Sequence, residues 1–277
     1  MNTQTATAAA AASSSSLILL REDIAGVAIL TLNRPQARNS LSEALLEALG
    51  DALTAIAHER AVRAVVLTAN GPAFSAGHDL KELNARRSDS DRGRAYFKHI
   101  MGLCSTVMQQ IVTLPQPVIA AVQATATAAG CQLVASCDLA VASHAAKFAT
   151  PGVNIGLFCS TPMVALSRNV TRKAAMEMLL TGDMISAEDA ARIGLVNHVV
   201  APGHERDEAL KLANKITAKS PLTIKTGKEA FYRQLEMSLA DAYTYTSEVM
   251  VENMLARDAE EGISAFIEKR DPKWEGR

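Results

Sequence analysis

The chain is poor in the residues that several protein classes depend on. Four cysteines, Cys104, Cys131, Cys137 and Cys159, form no C-x-x-C pair among 277 residues, which argues against a zinc site, a redox motif or a disulfide framework. Reduced thiols in an intracellular compartment fit this usage. Aromatics make up 4% with a single tryptophan, too few for a base-stacking surface. Neither sign of charge is in excess: 28 basic residues against 29 acidic leave a net of -1, so no field draws in nucleic acid or an anionic membrane. The sequence also lacks G-x-G-x-x-G, G-x-x-x-x-G-K-[ST], G-x-S-x-G and H-E-x-x-H, removing the usual support for dinucleotide, P-loop, serine-hydrolase and zincin chemistry. Its six histidines are scattered and suggest no metal. The uncharged stretch from Ile100 to Cys137 is interrupted by Gln109, Gln110, Pro115, Gln116, Pro117, Gln123 and Gln132, which marks a buried core segment and not a membrane span.

What is present is ordinary globular material, 48% hydrophobic and 21% charged, long enough to bury a substantial core. Residues 1–16 are low-complexity and read as a disordered tail without the apolar run of a secretion signal. The first arginine is Arg21, which tilts the location toward the cytoplasm over the mitochondrial alternative. LILLRED and GVAILTLN read as strands joined by a turn at Gly26. Ser40 and Glu43 have capping-box spacing ahead of Leu41, Leu45, Leu49, Leu53 and Ile56, which recur on one helical face. Strands follow at RAVVLTAN, PVIAAVQ and DLAVAS, each separated by a small-residue turn and a helix, the pattern of a parallel sheet with crossovers. From about Gly203 to Ile267 the periodicity is helical.

Two turns run through small residues into a helix start: Phe74-Ser75-Ala76-Gly77-His78-Asp79 and Ala126-Thr127-Ala128-Ala129-Gly130-Cys131. The first N–H groups of a helix lack internal partners, so such turns can donate to an anion. Side by side, two of them could hold a carbonyl oxygen as negative charge develops on it. Tight packing alone also explains small residues at these junctions.

At these residues the chain resembles the crotonase superfamily, the enoyl-CoA hydratase/isomerase family. The motifs are LNRPQARNSLS, FSAGHDLKEL, the C-x-L-x-x-x-C-D-L-A-V-A-S run from Cys131, FATPGVNIGL, the T-G-x-x-I-S-A-E-x-A run from Thr181, and F-I-E-K-R, spread over Leu17 to Trp274. The resemblance implies an α/β fold, a crotonase-like spiral of ββα units with a helical C-terminal portion: a core over 17–205 with the acyl-CoA site and a trimerisation region over 206–277. It implies a homotrimer or homohexamer, and a coenzyme A thioester as substrate, with no separate cofactor and no metal. The thioester oxygen would be held by the N–H groups of His78 and Ala129. The positions that contact coenzyme A fall on Ala37, Arg38, Ala76, Asp79, Leu80 and Lys81, although Lys81 is equally well read as an exposed helix residue.

Departures from the family pattern fall on the acyl pocket. Where hydratases carry the glutamate of G-G-G-C-E, this chain has Gln132; where they carry the glutamate of Q-P-E, it has Gly152. Neither group exchanges a proton near neutral pH, so efficient hydration is not expected. Cys159 and Ser160 occupy the region where some isomerases place a carboxylate; Cys159 reads as a nucleophile or, more simply, as a packing thiol. FATPGVNIGLFCSTP is similar to one subgroup of the family that has mitochondrial members, and FSAGHDL with V-N-x-G is similar to its decarboxylating members. These readings leave three functions open: an enolate-stabilising enzyme, a catalytically reduced acyl-CoA-binding or regulatory protein, and an acyl-CoA decarboxylase or thioesterase.

Overall fold

A computed structural model describes residues 17–277, so the tail expected over 1–16 lies outside the described residues. The chain opens with the hairpin β1 (Leu19–Ile24) and β2 (Val27–Leu32), turning at Ala25 and Gly26, both with positive φ. Helix α1 (Glu43–His58) then crosses over to β3 (Ala64–Ala69). β3 lies parallel to both β2 and β5 (Val118–Val122), and β5 lies parallel to β7 (Leu139–Ser143), which pairs with β10 (His198–Val200). This six-stranded sheet runs β1-β2-β3-β5-β7-β10. Its central strands, AVVLTA and VIAAV, are buried throughout, as expected where helices cover both faces of a parallel sheet.

Each of three central strands is followed by a short one that belongs to a second, smaller sheet: β4 (Ala73–Ser75), β6 (Thr125–Thr127) and β8 (Lys147–Ala149), with β9 (Ile185–Ser186) at its edge. β4, β6 and β8 are mutually parallel. Their carboxyl ends therefore open on one edge, and the chain leaves β4 into α2 (Leu80–Ala85) and β6 into α4 (Ala129–Ser136). That succession of large-sheet strand, small-sheet strand and helix is the expected ββα unit. β6 lies inside ATATAAG, read from sequence as a plain turn; its strand character comes from pairing with β4 and β8, which no local pattern announces.

Helix α1 begins two residues later than the Ser40–Glu43 spacing predicts. Its cap is Ser42, whose hydroxyl accepts the Leu45 N–H at 3.3 Å. Leu41 is still extended, bridged to His78, and the Ser40 hydroxyl is engaged by Asp79. The predicted core face holds: Leu41, Leu45, Leu49, Leu53 and Ile56 are all buried. Downstream, Ser186 caps α7 (Ala187–Arg192) by accepting the Asp189 N–H at 3.0 Å.

After β10 the chain is helical: α8 (Glu205–Thr217), α9 (Pro221–Gln234), α10 (Leu239–Leu255) and α11 (Arg257–Glu268). A division at 205/206 falls in the first turn of α8, whose Ala209 and Ala213 pack on Val27, Ile29, Ala64, Val66, Ile119 and Val141 of the large sheet. The helix completes the core by covering its second face. No helix among the described residues is long and apolar enough to cross a membrane.

Candidate active site

The first turn is built from two motifs that brace one another. Asn39, fully buried at φ 50°, donates from its amide to the carbonyls of Asn70 and Ala73 and accepts from the Arg34 N–H. The Ser75 hydroxyl donates to the Asn39 carbonyl at 2.9 Å, and the Ala76 N–H to that of Arg38 at 3.0 Å. Leu41 N–H donates to Gly77 and Asp79 N–H to Leu41. A bridge of this register turns the intervening His78 N–H away from Leu41. Among the described residues that N–H has no acceptor.

The second turn comes off β6. Ala128 sits at φ 50°, ψ −120°, and donates to the Ala149 carbonyl of β8 at 2.9 Å. Ala129 is the first residue of α4, where an N–H has no acceptor within its own helix. The two turns touch. A Cβ added to Gly77 would lie 3.2 Å from the Ala129 nitrogen and 2.9 Å from the Ala128 Cβ, and one added to Gly130 would lie 2.2 Å from the Ser75 carbonyl oxygen. Glycine at 77 and 130 is thus what lets two backbones with free N–H groups meet at the carboxyl ends of adjacent parallel strands, a position where α/β sheets bind ligands.

The remaining positions read from sequence divide by exposure. Arg38, Ala76, Leu80 and Lys81 are exposed and Ala37 is half-buried, all on the loops that flank the first turn. Asp79 is committed locally: its carboxylate accepts from Arg34 at 3.1 Å, from the Ser40 hydroxyl at 3.0 Å and from the Lys81 N–H that it caps. Burial alone would raise its pKa, but these hydrogen bonds hold it below the ordinary carboxylate range. Arg34, not singled out from sequence, is the positioning residue for this turn; its signal was its place in LNRPQARNSLS.

Of the positions read from sequence as an acyl pocket, Gln132 and Cys159 are buried and Ser160 is exposed, its hydroxyl turned to the Phe158 carbonyl. Gly152 is buried in the turn Pro151–Ile155. Burial pushes the thiols up, Cys131 to about 12 and Cys159 above its usual value despite a hydrogen bond from the backbone at Gly152. Cys159 is therefore a packing thiol at neutral pH and not an activated nucleophile. Its Sγ lies 2.9 Å from where a Cβ on Gly152 would stand, and the Leu157 carbonyl oxygen 2.7 Å away. The space that a carboxylate at 152 would need is filled. Burial also lowers the His78 pKa, keeping its imidazole neutral.

Sequence comparison matches residues 22–277 to the family described as enoyl-CoA hydratase/isomerase. The chain is 49% identical over 249 residues to the Xenopus laevis enoyl-CoA hydratase domain-containing protein 3, mitochondrial, covering 90% of this chain and 83% of that one. This is the subgroup that FATPGVNIGLFCSTP resembles. Among solved structures, an enoyl-CoA hydratase of Mycobacterium smegmatis superposes with a TM-score of 0.89 at 53% identity, covering 94% of this chain and 99% of that one. Human enoyl-CoA hydratase domain-containing protein 3 superposes at 0.88 with 46% identity, covering 93% and 100%.

Proposed function

The chain belongs to the enoyl-CoA hydratase/isomerase family, and on that premise we propose that it binds an acyl-CoA thioester and stabilises the enolate of that thioester between the N–H groups of His78 and Ala129. The observation that carries this is the contact of two turns, each ending in an N–H without an acceptor. Donors fixed before the reaction cost no reorganisation as charge develops, and losing one typically lowers a rate about 10²- to 10³-fold. Coenzyme A enters as part of the substrate. Arg38, Ala76, Leu80 and Lys81, exposed beside the first turn, are where it would lie.

Activation of water for attack on the β-carbon, and proton delivery to the α-carbon, have no carboxylate at 132 or 152 to perform them. Enolate stabilisation without efficient hydration is what this arrangement supports; with no carboxylate at 132 or 152, the α-proton would pass to solvent hydroxide and return from water. The test is solvent deuterium entering the α-carbon of butyryl-CoA. Wild-type protein is expected to catalyse exchange, and Ala129→Pro, which removes one N–H at a first helical position that tolerates proline, to lower it at least 10²-fold with its circular dichroism unchanged. Exchange that survives this change would overturn the assignment.

The space filled by Cys159 at Gly152 favours a second reading, an acyl-CoA-binding protein with little turnover. Binding across a panel of acyl-CoAs without exchange, carbon dioxide release or free coenzyme A supports it; release of either product supports decarboxylation or hydrolysis. The cytoplasmic location expected from the tail gains no support from relatives named mitochondrial, which favour the mitochondrial alternative.

A further inference from the structure

A cavity of about 850 Å³ opens at the amino ends of β3 and β5, within the roughly 300–1,000 Å³ that small-molecule sites occupy. Arg63, directly before β3, and Gln116, two residues before β5, both line it. The paired turns follow the carboxyl ends of the same strands, by way of β4 and β6, so this cavity stands at the opposite end and shares no residue with them. Its apolar lining comes from Val62, Pro115, Ile216 and the first turn of α9 at Leu222 and Ile224, and Trp274 closes it.

The wall that carries Trp274 is fixed. The indole N–H donates to the Ala218 carbonyl at 2.9 Å, and the ring edge packs against Gly262, where a Cβ would stand 3.1 Å from it. On either side, the Lys273 N–H donates to Glu261, and those of Glu275 and Gly276 to Asp258. A flat ring held in this way needs little ordering when a ligand arrives.

The charges that line the cavity are unevenly paired. Glu59 is held by Arg21, and Glu275 by Arg257 and Arg277. Arg63 donates to the Lys219 carbonyl. Arg60, in the loop between α1 and β3, and Lys225, on α9, are exposed and have no hydrogen-bond or ion-pair partner among the described residues. Two uncommitted cations beside carboxylates that are already neutralised select an anion. Gln116 lines the same cavity and is 8% exposed; its Nε2 donates to the carbonyls of Ile56 and Val62, while its Oε1 has no partner. Buried acceptors are almost always paired, so the fitting ligand brings a hydrogen-bond donor as well as a charge.

We propose that this cavity is a second ligand site, separate from the thioester site, that takes an aromatic anion: a planar ring with a hydrogen-bond donor against the Trp274 indole, and a phosphate or carboxylate held by Arg60 and Lys225. It stands independently of the acyl-CoA reading.

Trp274 is the only tryptophan of the chain, so indole emission reports on this cavity. The experiment is fluorescence titration of wild type and the double variant Arg60→Gln with Lys225→Gln. The probes are uridine 5′-monophosphate, 4-hydroxybenzoate, their uncharged counterparts uridine and 4-hydroxybenzamide, and inorganic phosphate. At least one of the two aromatic anions is expected to shift wild-type emission saturably, with a Kd below about 1 mM, and whichever does so identifies the phosphate or the carboxylate as the recognised group. Its uncharged counterpart, and the double variant with the same anion, are expected to bind about 10-fold or more weakly. Neither substituted side chain has a partner to lose, so the variant is expected to keep the wild-type circular dichroism; the comparison of charged and uncharged probes in wild type carries the test if it does not fold. Emission indifferent to both anions, a counterpart that binds equally well, or a response kept in the folded double variant overturns the proposal. So does inorganic phosphate binding as tightly as uridine monophosphate, since the ring then contributes nothing. None of these results touches the thioester site.

Discussion

Ala128 carries a Cβ in a conformation, φ 50° and ψ −120°, that glycine adopts without strain. Its N–H is held by Ala149 and its carbonyl by the Gln132 N–H, so the surroundings enforce a position costing about 1–3 kcal/mol. Ala128→Gly is expected to raise stability by about 1 kcal/mol after the added chain entropy, or roughly 2–4 °C in Tm; a lower Tm in a thermal melt counts against strain at this position. Gly152 is the second decisive residue. Restoring both glutamates, Gln132→Glu with Gly152→Glu, is expected to raise hydration only where the surroundings are otherwise intact. At 152 they are not: the first Cβ there already meets Leu157 and Cys159. Gln132→Glu alone is expected to raise crotonyl-CoA hydration, and adding Gly152→Glu to cancel that gain and lower Tm. A double variant faster than the single one in a spectrophotometric assay would show that the loop moves aside.

Elements are joined by a few buried polar ties. α9 is anchored to the core by Lys228, 7% exposed in its side chain, whose Nζ donates to Asp138 at 2.7 Å and to the carbonyls of Ile111 and Gln116. Tyr232 and the Val118 N–H share the same carboxylate. Lys228→Met strips Asp138 of its countercharge and is expected to cost about 3–5 kcal/mol in urea unfolding, with partial recovery on adding Asp138→Asn. The C-terminal segment is tied by Asp258, buried and accepting from the Ser220 hydroxyl and the N–H groups of Glu275 and Gly276. Burial would raise its pKa, but those donors outweigh it and lower it. Stability from a depressed carboxylate is present above the unfolded pKa and lost as pH falls through the folded one. Wild type is therefore expected to lose stability more steeply than Asp258→Asn below about pH 4, read from melts across that range.

At the scale of the whole molecule, the last three helices leave apolar side chains in solvent, among them Leu239, Tyr243, Met250, Leu255, Phe266 and Ile267, the last two 85% and 72% exposed. A face of that kind is costly to leave wet in a single chain. The protein is expected to sediment at three or six times the chain mass, and Phe266→Glu to shift it toward the monomer at micromolar concentration; a wild-type monomer would refute trimerisation through this region.

By itself the sequence determined the elements whose signal is local or periodic: the buried strands at AVVLTA and VIAAV, the apolar face of α1, and the two small-residue turns. It also determined that positions 132 and 152 carry no carboxylate, since neither Gln132 nor Gly152 has a side chain that titrates near neutral pH in any fold. Only the tertiary structure decided what depends on partners distant along the chain. Ser42 caps α1 because His78 keeps Leu41 extended; β6 is a strand because β4 and β8 flank it; Asp79 is spent on Arg34; and Cys159 fills the space at Gly152. Local propensity is written over a few residues, whereas hydrogen bonds and excluded volume between segments are settled only when the chain closes on itself.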